Sequence, residues 1–233
     1  MSFLSILLFL GTLGLSLWAA ARVKSVYRRF SQIPASSGAT GAEVAAAILD
    51  RAGIHDVEII PHNEFLGDHY DPMNKRLVLS EDNYYGNSLA ALGVAAHECG
   101  HAIQHQIAYA PLKWRMASVG ATNFANHIVT WLPMVFIFTQ AVSLYTGTLL
   151  MAAGWGIIMI FNLITLPVEF DASSRAKKIL SGMGFIGTDE EMIGVRKTLD
   201  AAAWTYVAAF ITSLAYLLYY LAPLLFGGRS SDE

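Results

Sequence analysis

The sequence predicts a mainly α integral membrane protein, with about four transmembrane helices and a small α+β domain that contains a short sheet. Three observations predict this fold class. The 233 residues are 55% hydrophobic and only 14% charged, whereas about a quarter of the residues of a soluble protein are charged. Uncharged apolar runs long enough to span a bilayer recur along the chain. Polar segments with helix and strand patterns lie between these runs.

The first predicted transmembrane helix covers residues 1–21. Within it, Phe3 to Ala21 carry no charge and are long enough to cross a bilayer. A cleaved signal peptide is the competing interpretation, but such a peptide begins with positive residues. Here the positive residues follow the apolar run: Arg22, Lys24, Arg28 and Arg29. This order favours a retained anchor whose C-terminal end faces the cytoplasm.

The predicted α+β domain occupies residues 22–123. A glycine- and serine-rich loop leads into an expected helix at Ala42–Ala52. Two apolar or alternating stretches, at 57–60 and 76–80, predict short strands. Between them, residues 67–74 are rich in turn-forming types and are expected to form a turn.

Further predicted membrane segments follow this domain in the sequence. Residues 124–168 contain no lysine, arginine, aspartate or glutamate, and they are long enough for a hairpin of two spans with a tight turn at Tyr145–Gly147. Residues 169–201 are polar again and are predicted to form a cytoplasmic helical segment. A fourth span is expected at 202–226, followed by a polar tail at 227–233.

Charge predicts the orientation of these segments. Four spans put both chain ends on one side of the membrane and the polar segments on the other. All of the 15 lysines and arginines except Arg229 fall on the side of the polar segments. The positive-inside rule therefore predicts that the polar segments face the cytoplasm, in the plasma or inner membrane. The net charge of −3 is too small to indicate a nucleic-acid partner, and the lipid bilayer is the expected surrounding.

The predicted chemistry is concentrated in residues 97–101, which read His-Glu-x-x-His inside a helix expected over about Ser88–Ile107. Two histidines four residues apart lie on one helix face with about 6 Å of axial rise between them. Their imidazoles can therefore converge on one metal ion, and Glu98 can reach a metal-bound water. Cys99, the single cysteine, lies off this face and is expected to pack in the interior rather than bind metal.

A catalytic zinc needs a third protein ligand. Glu169 is the best candidate because it is the first charge after the uncharged hairpin, and the hairpin returns it to the side of the two histidines. An unpartnered carboxylate at the end of a span is costly, although it could also be an ordinary flanking charge. His105 continues the histidine face but lies about 12 Å along the axis from His97, too far for one ion, so it is expected to support the centre or to lie at the surface. Three other histidines are possible ligands in principle but lack a helical ligand signature: His55, His62 and His69. His127 is at the head of the hairpin and is expected to mark the membrane interface.

The chain carries His-Glu-x-x-His on one helix and a glutamate on a later helix, with a membrane hairpin between them, and in this it resembles the gluzincin metallopeptidases. The layout is similar to the HtpX and Ste24 type of integral membrane protease. The sequence itself is more similar to a bacterial family of membrane neutral zinc metallopeptidases, the YugP-like proteins, in four segments: Asp68–Pro72, Leu77–Glu81, Val94–His105 and Leu166–Ser173. The resemblance implies a zincin-like domain, Zn²⁺ held by His97, His101 and Glu169, and Glu98 as the general base.

One position departs from the HtpX-type pattern. Those enzymes usually carry an aspartate four residues after the ligand glutamate, where it orients a ligand histidine. Here that position is Ser173, while Asp171 is two residues on and faces the other way on a helix. Either Ser173 supports the histidine more weakly or the support comes from elsewhere. The developing oxyanion also needs a donor, for which His69, Tyr70 and Arg175 are polar candidates.

The predicted function is a membrane-embedded zinc metalloendopeptidase. It would hydrolyse peptide or membrane-protein substrates near the cytoplasmic membrane surface. A catalytically silent zinc-binding adaptor is the main alternative, although binding alone would not require Glu98. A site-2-type intramembrane protease takes a ligand aspartate from a later span, and these spans contain none. A transporter or channel would need charges in its spans. Small residues at 152–156 suit close helix packing within or between chains, which leaves an oligomer or membrane partner open.

Overall fold

The structure is a computed structural model that describes residues 3–139 and 142–226. The predicted tail at 227–233 lies outside the described residues. Within the described ranges, helices dominate and one small sheet is present. In chain order the elements are α1 (Phe3–Phe30), α2 (Gly41–Arg51), β1 (Glu58–His62), β2 (His69–Asp71), β3 (Arg76–Ser80), α3 (Glu81–Tyr84), α4 (Leu89–Gln106), α5 (Ala110–Thr139), α6 (Leu144–Gly182) and α7 (Asp189–Phe226).

The elements form two compact units. The first, here called the polar unit, consists of residues Trp18–Lys113 and Pro167–Thr205. The second, the apolar unit, consists of Met1–Leu17, Trp114–Leu166 and Tyr206–Glu233. Each unit collects segments that are distant along the chain, so each depends on long-range packing.

Three helices within the described residues are long and apolar enough to cross a membrane: α1, α6 and α7. This agrees with three of the predicted spans. The remaining predicted span falls largely on α5, which is not among these three helices. Asn123, Asn126 and His127 interrupt the apolar run near its start, and polar groups reduce the free energy gained by transfer to lipid.

The polar unit contains the sheet, with strand order β1-β3-β2. β1 runs parallel to β3, with Ile60 opposite Val78, and β2 runs antiparallel to β3, with Tyr70 opposite Leu77. The central strand β3 is buried from Leu77 to Ser80, as expected for a strand covered on both faces. The predicted strands at 57–60 and 76–80 are thus confirmed to within two residues. The turn-rich stretch 67–74 contains the strand β2 at His69–Asp71, and a turn follows at 72–75.

Helices α2 and α4 pack together beside this sheet and form much of the core of the polar unit. The predicted helices at 42–52 and 88–107 are confirmed. Thr40 begins α2 with a capping box, in which its side chain and that of Glu43 each bond the other's backbone N–H. The Ser88 hydroxyl accepts a hydrogen bond from the Ala91 N–H and caps α4.

The apolar unit is held by helix packing with few polar links. The rings of Trp155 on α6 and Tyr216 on α7 stack with centroids 4.4 Å apart. The Asn162 amide of α6 donates to the Ser213 hydroxyl of α7 at 3.0 Å. Gly154 lies where an added Cβ would be 2.8 Å from the Val129 side chain of α5. Small residues thus allow close helix contact within this unit.

The break between α5 and α6 falls earlier than predicted. The expected turn at Tyr145–Gly147 was wrong, because these residues belong to the first turn of α6, which begins at Leu144. The physical reason is a local cap: the Ser143 hydroxyl accepts a hydrogen bond from the Thr146 N–H at 3.1 Å. A glycine in an apolar membrane helix is also well tolerated, so Gly147 does not end the helix.

Candidate metal centre

The candidate centre begins with the middle of α4, which is buried in the polar unit. His97 is partly buried, while Glu98 and His101 are 7% and 8% exposed. The helical spacing brings the two imidazole rings to a centroid separation of 4.8 Å. The local sequence therefore presents two histidine side chains on one face, as expected for positions i and i+4.

Gly100 allows α6 to approach this part of α4. A Cβ on Gly100 would lie 2.9 Å from the carbonyl oxygen of Ala172 and 3.1 Å from its Cα. Contacts this short involve backbone and cannot be relieved by side-chain rotation. The glycine inside the motif thus permits the close helix packing that brings Glu169 towards the histidines.

Glu169 completes a cluster of three ligand groups. Its Oε2 lies 3.2 Å from Nε2 of His97 and 3.6 Å from Nε2 of His101, and the side chain is almost fully buried. The candidate ligand atoms of the three residues all lie within 4.8 Å of one another. Two atoms that each lie about 2.1 Å from a tetrahedral zinc are roughly 3.4 Å apart. The donor set and spacing therefore fit Zn²⁺.

Hydrogen bonds fix the orientation of both imidazoles. Nδ1 of His97 lies 3.1 Å from the Ser173 hydroxyl, and Nδ1 of His101 lies 3.0 Å from Oε1 of Gln104. With Nδ1 bonded to these partners, the Nε2 atoms are the ones that face Glu169. A ligand histidine that donates its other N–H to a neighbouring acceptor is the usual arrangement in metal sites.

The charges of the centre favour a bound cation. Burial alone lowers the pKa of His101, but contact with Glu169 and the negative charges of Glu98 and Glu169 outweigh it, so the pKa lies above its ordinary value. Within the described residues, no hydrogen bond from another side chain reaches the Glu98 carboxylate. Glu98 is thus a buried carboxylate next to the candidate ligand His97.

The other predicted support residues lie in two groups. Asp171 accepts hydrogen bonds from Nε2 of Gln104 at 2.8 Å and from Nε of Arg175 at 2.6 Å. Asp171 and Arg175 therefore belong to a hydrogen-bond network that leads through Gln104 to His101. The hydroxyl of Tyr70 pairs with Nδ1 of His105 at 2.9 Å. Burial raises the pKa of Tyr70, followed by the charges of nearby carboxylates, which keeps its hydroxyl protonated.

The remaining histidines lie outside the three-residue cluster. His69 is exposed, and its ring bonds the Gly67 carbonyl. His55 and His62 contact carboxylates in exposed positions, and His127 is exposed on α5. Cys99 is fully buried with its thiol 3.7 Å from the Ala45 carbonyl, which agrees with the predicted packing role.

Gln104 is the residue of the centre that the sequence analysis missed. Its side chain is fully buried and contacts His101, Val168 and Asp171. A signal was present, because Gln104 follows His101 by three residues and so lies on the same helix face. A polar side chain on the buried face of a helix usually has a specific hydrogen-bond partner.

The fold and site define a membrane-associated chain with a two-histidine, one-glutamate centre, and the comparison with known families agrees. The chain belongs to the family described as "Putative neutral zinc metallopeptidase", whose sequence model matches residues 5–224. It is also 46% identical over 229 residues to the "Putative membrane protease YugP" of Bacillus subtilis (strain 168), covering 96% of this chain and 98% of that protein. No solved structure matches the chain. The resemblance to the YugP-like membrane neutral zinc metallopeptidases is thus confirmed.

Proposed function

We propose that this protein is a membrane-bound zinc endopeptidase whose ligands are His97, His101 and Glu169 and whose general base is Glu98. The observation that carries the proposal is the placement of Glu169 within 3.6 Å of both Nε2 atoms, beside a glutamate in the His-Glu-x-x-His stretch. The family and the named relative support the same chemistry. The polar unit would be a zincin-like domain.

Each residue of the centre has a separate role in the proposed reaction. Zinc, when bound, would polarise the scissile carbonyl and lower the pKa of a coordinated water towards about 7. Glu98 would accept a proton from the attacking water and deliver it to the leaving amine. His97, His101 and Glu169 would hold the ion, and Ser173 and Gln104 would keep the two imidazoles oriented.

The proposed location is the cytoplasmic surface of the cell membrane. The distribution of lysines and arginines supports this side. A fourth span would be supplied by α5, whose C-terminal half exposes large apolar side chains: Trp131, Met134, Val135, Phe136, Ile137 and Phe138. Substrates would be unstructured peptides or segments of membrane proteins.

The test is zinc content and peptidase activity of the full chain purified in detergent. The assay compares wild type, Glu98→Gln and the control Glu190→Gln, which removes an exposed carboxylate. We expect all three to bind zinc. Cleavage of an unfolded polypeptide should fall by about 100-fold or more in Glu98→Gln, with no change in the control.

Two results would contradict the proposal. Undiminished cleavage by Glu98→Gln would remove Glu98 from the mechanism. Zinc binding by a wild type that cleaves neither soluble peptides nor membrane proteins would favour the silent adaptor instead.

A further inference from the structure

The side chain of Gln104 is fully buried and makes three hydrogen bonds. Its Nε2 lies 2.8 Å from the Val168 carbonyl oxygen and 2.8 Å from Oδ2 of Asp171, and its Oε1 lies 3.0 Å from Nδ1 of His101. Gln104 is on α4, whereas Val168 and Asp171 are on α6 and flank Glu169. One side chain therefore joins one candidate ligand to the backbone next to another.

The chemistry of its partners fixes which way the amide points. A backbone carbonyl and a carboxylate can only accept hydrogen bonds, so the NH₂ group of Gln104 must face Val168 and Asp171. Its carbonyl oxygen then faces His101 and can only accept. Nδ1 of His101 must therefore carry a proton, so in the neutral imidazole the Nε2 lone pair is directed at the cluster.

Asp171 is itself anchored. Nε of Arg175, one helical turn further along α6, lies 2.6 Å from Oδ2 of Asp171. The network thus runs from Arg175 through Asp171 and Gln104 to His101. His97 has a simpler support, the single hydroxyl of Ser173.

We propose that Gln104 is a positioning residue of the metal centre: it selects the Nδ1-protonated form of His101 and fixes the spacing between α4 and α6 at Glu169. The inference rests on the proposed function, because it assumes that His101 binds the metal. A neutral amide can donate to α6 and accept from His101 at once. A carboxylate at this position could not donate while ionised.

The test measures the zinc dissociation constant by competition with a chelator, on the full chain in detergent. Gln104→Met keeps the length of the side chain but removes the amide. The matched control is Gln106→Met on the same helix, where the glutamine is exposed. We expect zinc binding to weaken by about 10- to 100-fold in Gln104→Met and to be unchanged in the control.

A rescue experiment separates positioning from packing. Gln104→Glu restores an acceptor for His101 but places a second carboxylate beside Asp171. Adding Asp171→Asn supplies a donor for that carboxylate, so the double variant should bind zinc more tightly than Gln104→Glu alone. The visible absorption of the Co²⁺-loaded protein should shift in Gln104→Met and match wild type in Gln106→Met.

The outcomes are distinguishable. The inference is overturned if Gln104→Met binds zinc as tightly as Gln106→Met, or if Asp171→Asn does not strengthen binding by Gln104→Glu. If Gln104→Met does not fold, the comparison of the Gln104→Glu single and double variants decides alone. A wild-type protein that binds no zinc would instead contradict the proposed function.

Discussion

The two units use their polar side chains in different ways. In the apolar unit, most described serine and threonine hydroxyls bond carbonyls of their own helix, as Thr122 does with Ser118 and Thr165 with Phe161. In the polar unit, side chains bridge segments far apart in sequence, as in the contacts of His97 with Ser173 and with Glu169. Substitutions should therefore have graded effects in the apolar unit and abrupt, site-specific effects in the polar unit.

The strongest test of this contrast compares two polar residues of α6, Glu169 in the polar unit and Asn162 in the apolar unit. Glu169→Ala removes a candidate ligand and should weaken zinc binding by more than about 100-fold, beyond the range for supporting residues. Asn162→Ala removes hydrogen bonds to α7 and should leave zinc bound. Metal analysis after gel filtration measures both, and equal zinc content in the two variants would break the contrast.

A second test compares two closely packed glycines. A Cβ on Gly100 meets the backbone of Ala172, whereas a Cβ on Gly154 meets a side-chain methyl group of Val129. Gly100→Ala should cost about 1–3 kcal/mol of stability as overpacking and should weaken zinc binding, because α6 must shift. Gly154→Ala should cost less and leave zinc unaffected.

Thermal unfolding and chelator competition measure these two effects. If Gly154→Ala weakened zinc binding as much as Gly100→Ala, the special role of the α4–α6 contact would be contradicted.

A smaller effect is expected for Ser173→Ala, which removes the hydroxyl bonded to Nδ1 of His97. Zinc binding should weaken by about 10-fold, the low end for a residue that orients a ligand. Thr165→Ala is the matched control, because Thr165 is buried on the same helix but bonds only its own helix carbonyl. Chelator competition at one pH gives both constants, and similar values for the two variants would remove Ser173 from the centre.

The smallest effect is expected at Cys99. Burial, followed by the charge of Glu98, raises the pKa of the thiol well above its ordinary value, so at pH 8 the reactive thiolate is scarce. Iodoacetamide should label the protein only after denaturation, and Cys99→Ala should leave zinc binding unchanged. Rapid labelling of the folded protein, followed by mass spectrometry, would show that the thiol is accessible.

Some elements of the fold are specified by residues that are close together in sequence, and others are not. The strands at 57–60 and 76–80 and the helix bearing the histidines follow from side-chain periodicity and caps, and all three are present. The three-residue strand β2 was missed because its turn-rich sequence gives no strand signal. It forms by pairing with β3, and such pairing depends on context more than on propensity.

The candidate centre likewise contains residues that local sequence predicts and residues whose roles depend on distant contacts. His97, Glu98 and His101 were predictable because their spacing on one helix carries the chemistry. Glu169 was predictable only through the position of its charge and the family resemblance. The role of Gln104 depends on Val168 and Asp171, which are more than 60 residues away in sequence, and no local pattern specifies that contact.

The long separation between the ligands has a consequence for biosynthesis. His97 and His101 leave the ribosome well before Glu169, and the partners of Gln104 on α6 are also made later. A nascent chain that ends before residue 168 therefore lacks the third ligand and both α6 partners of Gln104, Val168 and Asp171. Under the proposed function, the chain cannot hydrolyse a peptide bond before residue 169 has been made and α6 has packed against α4.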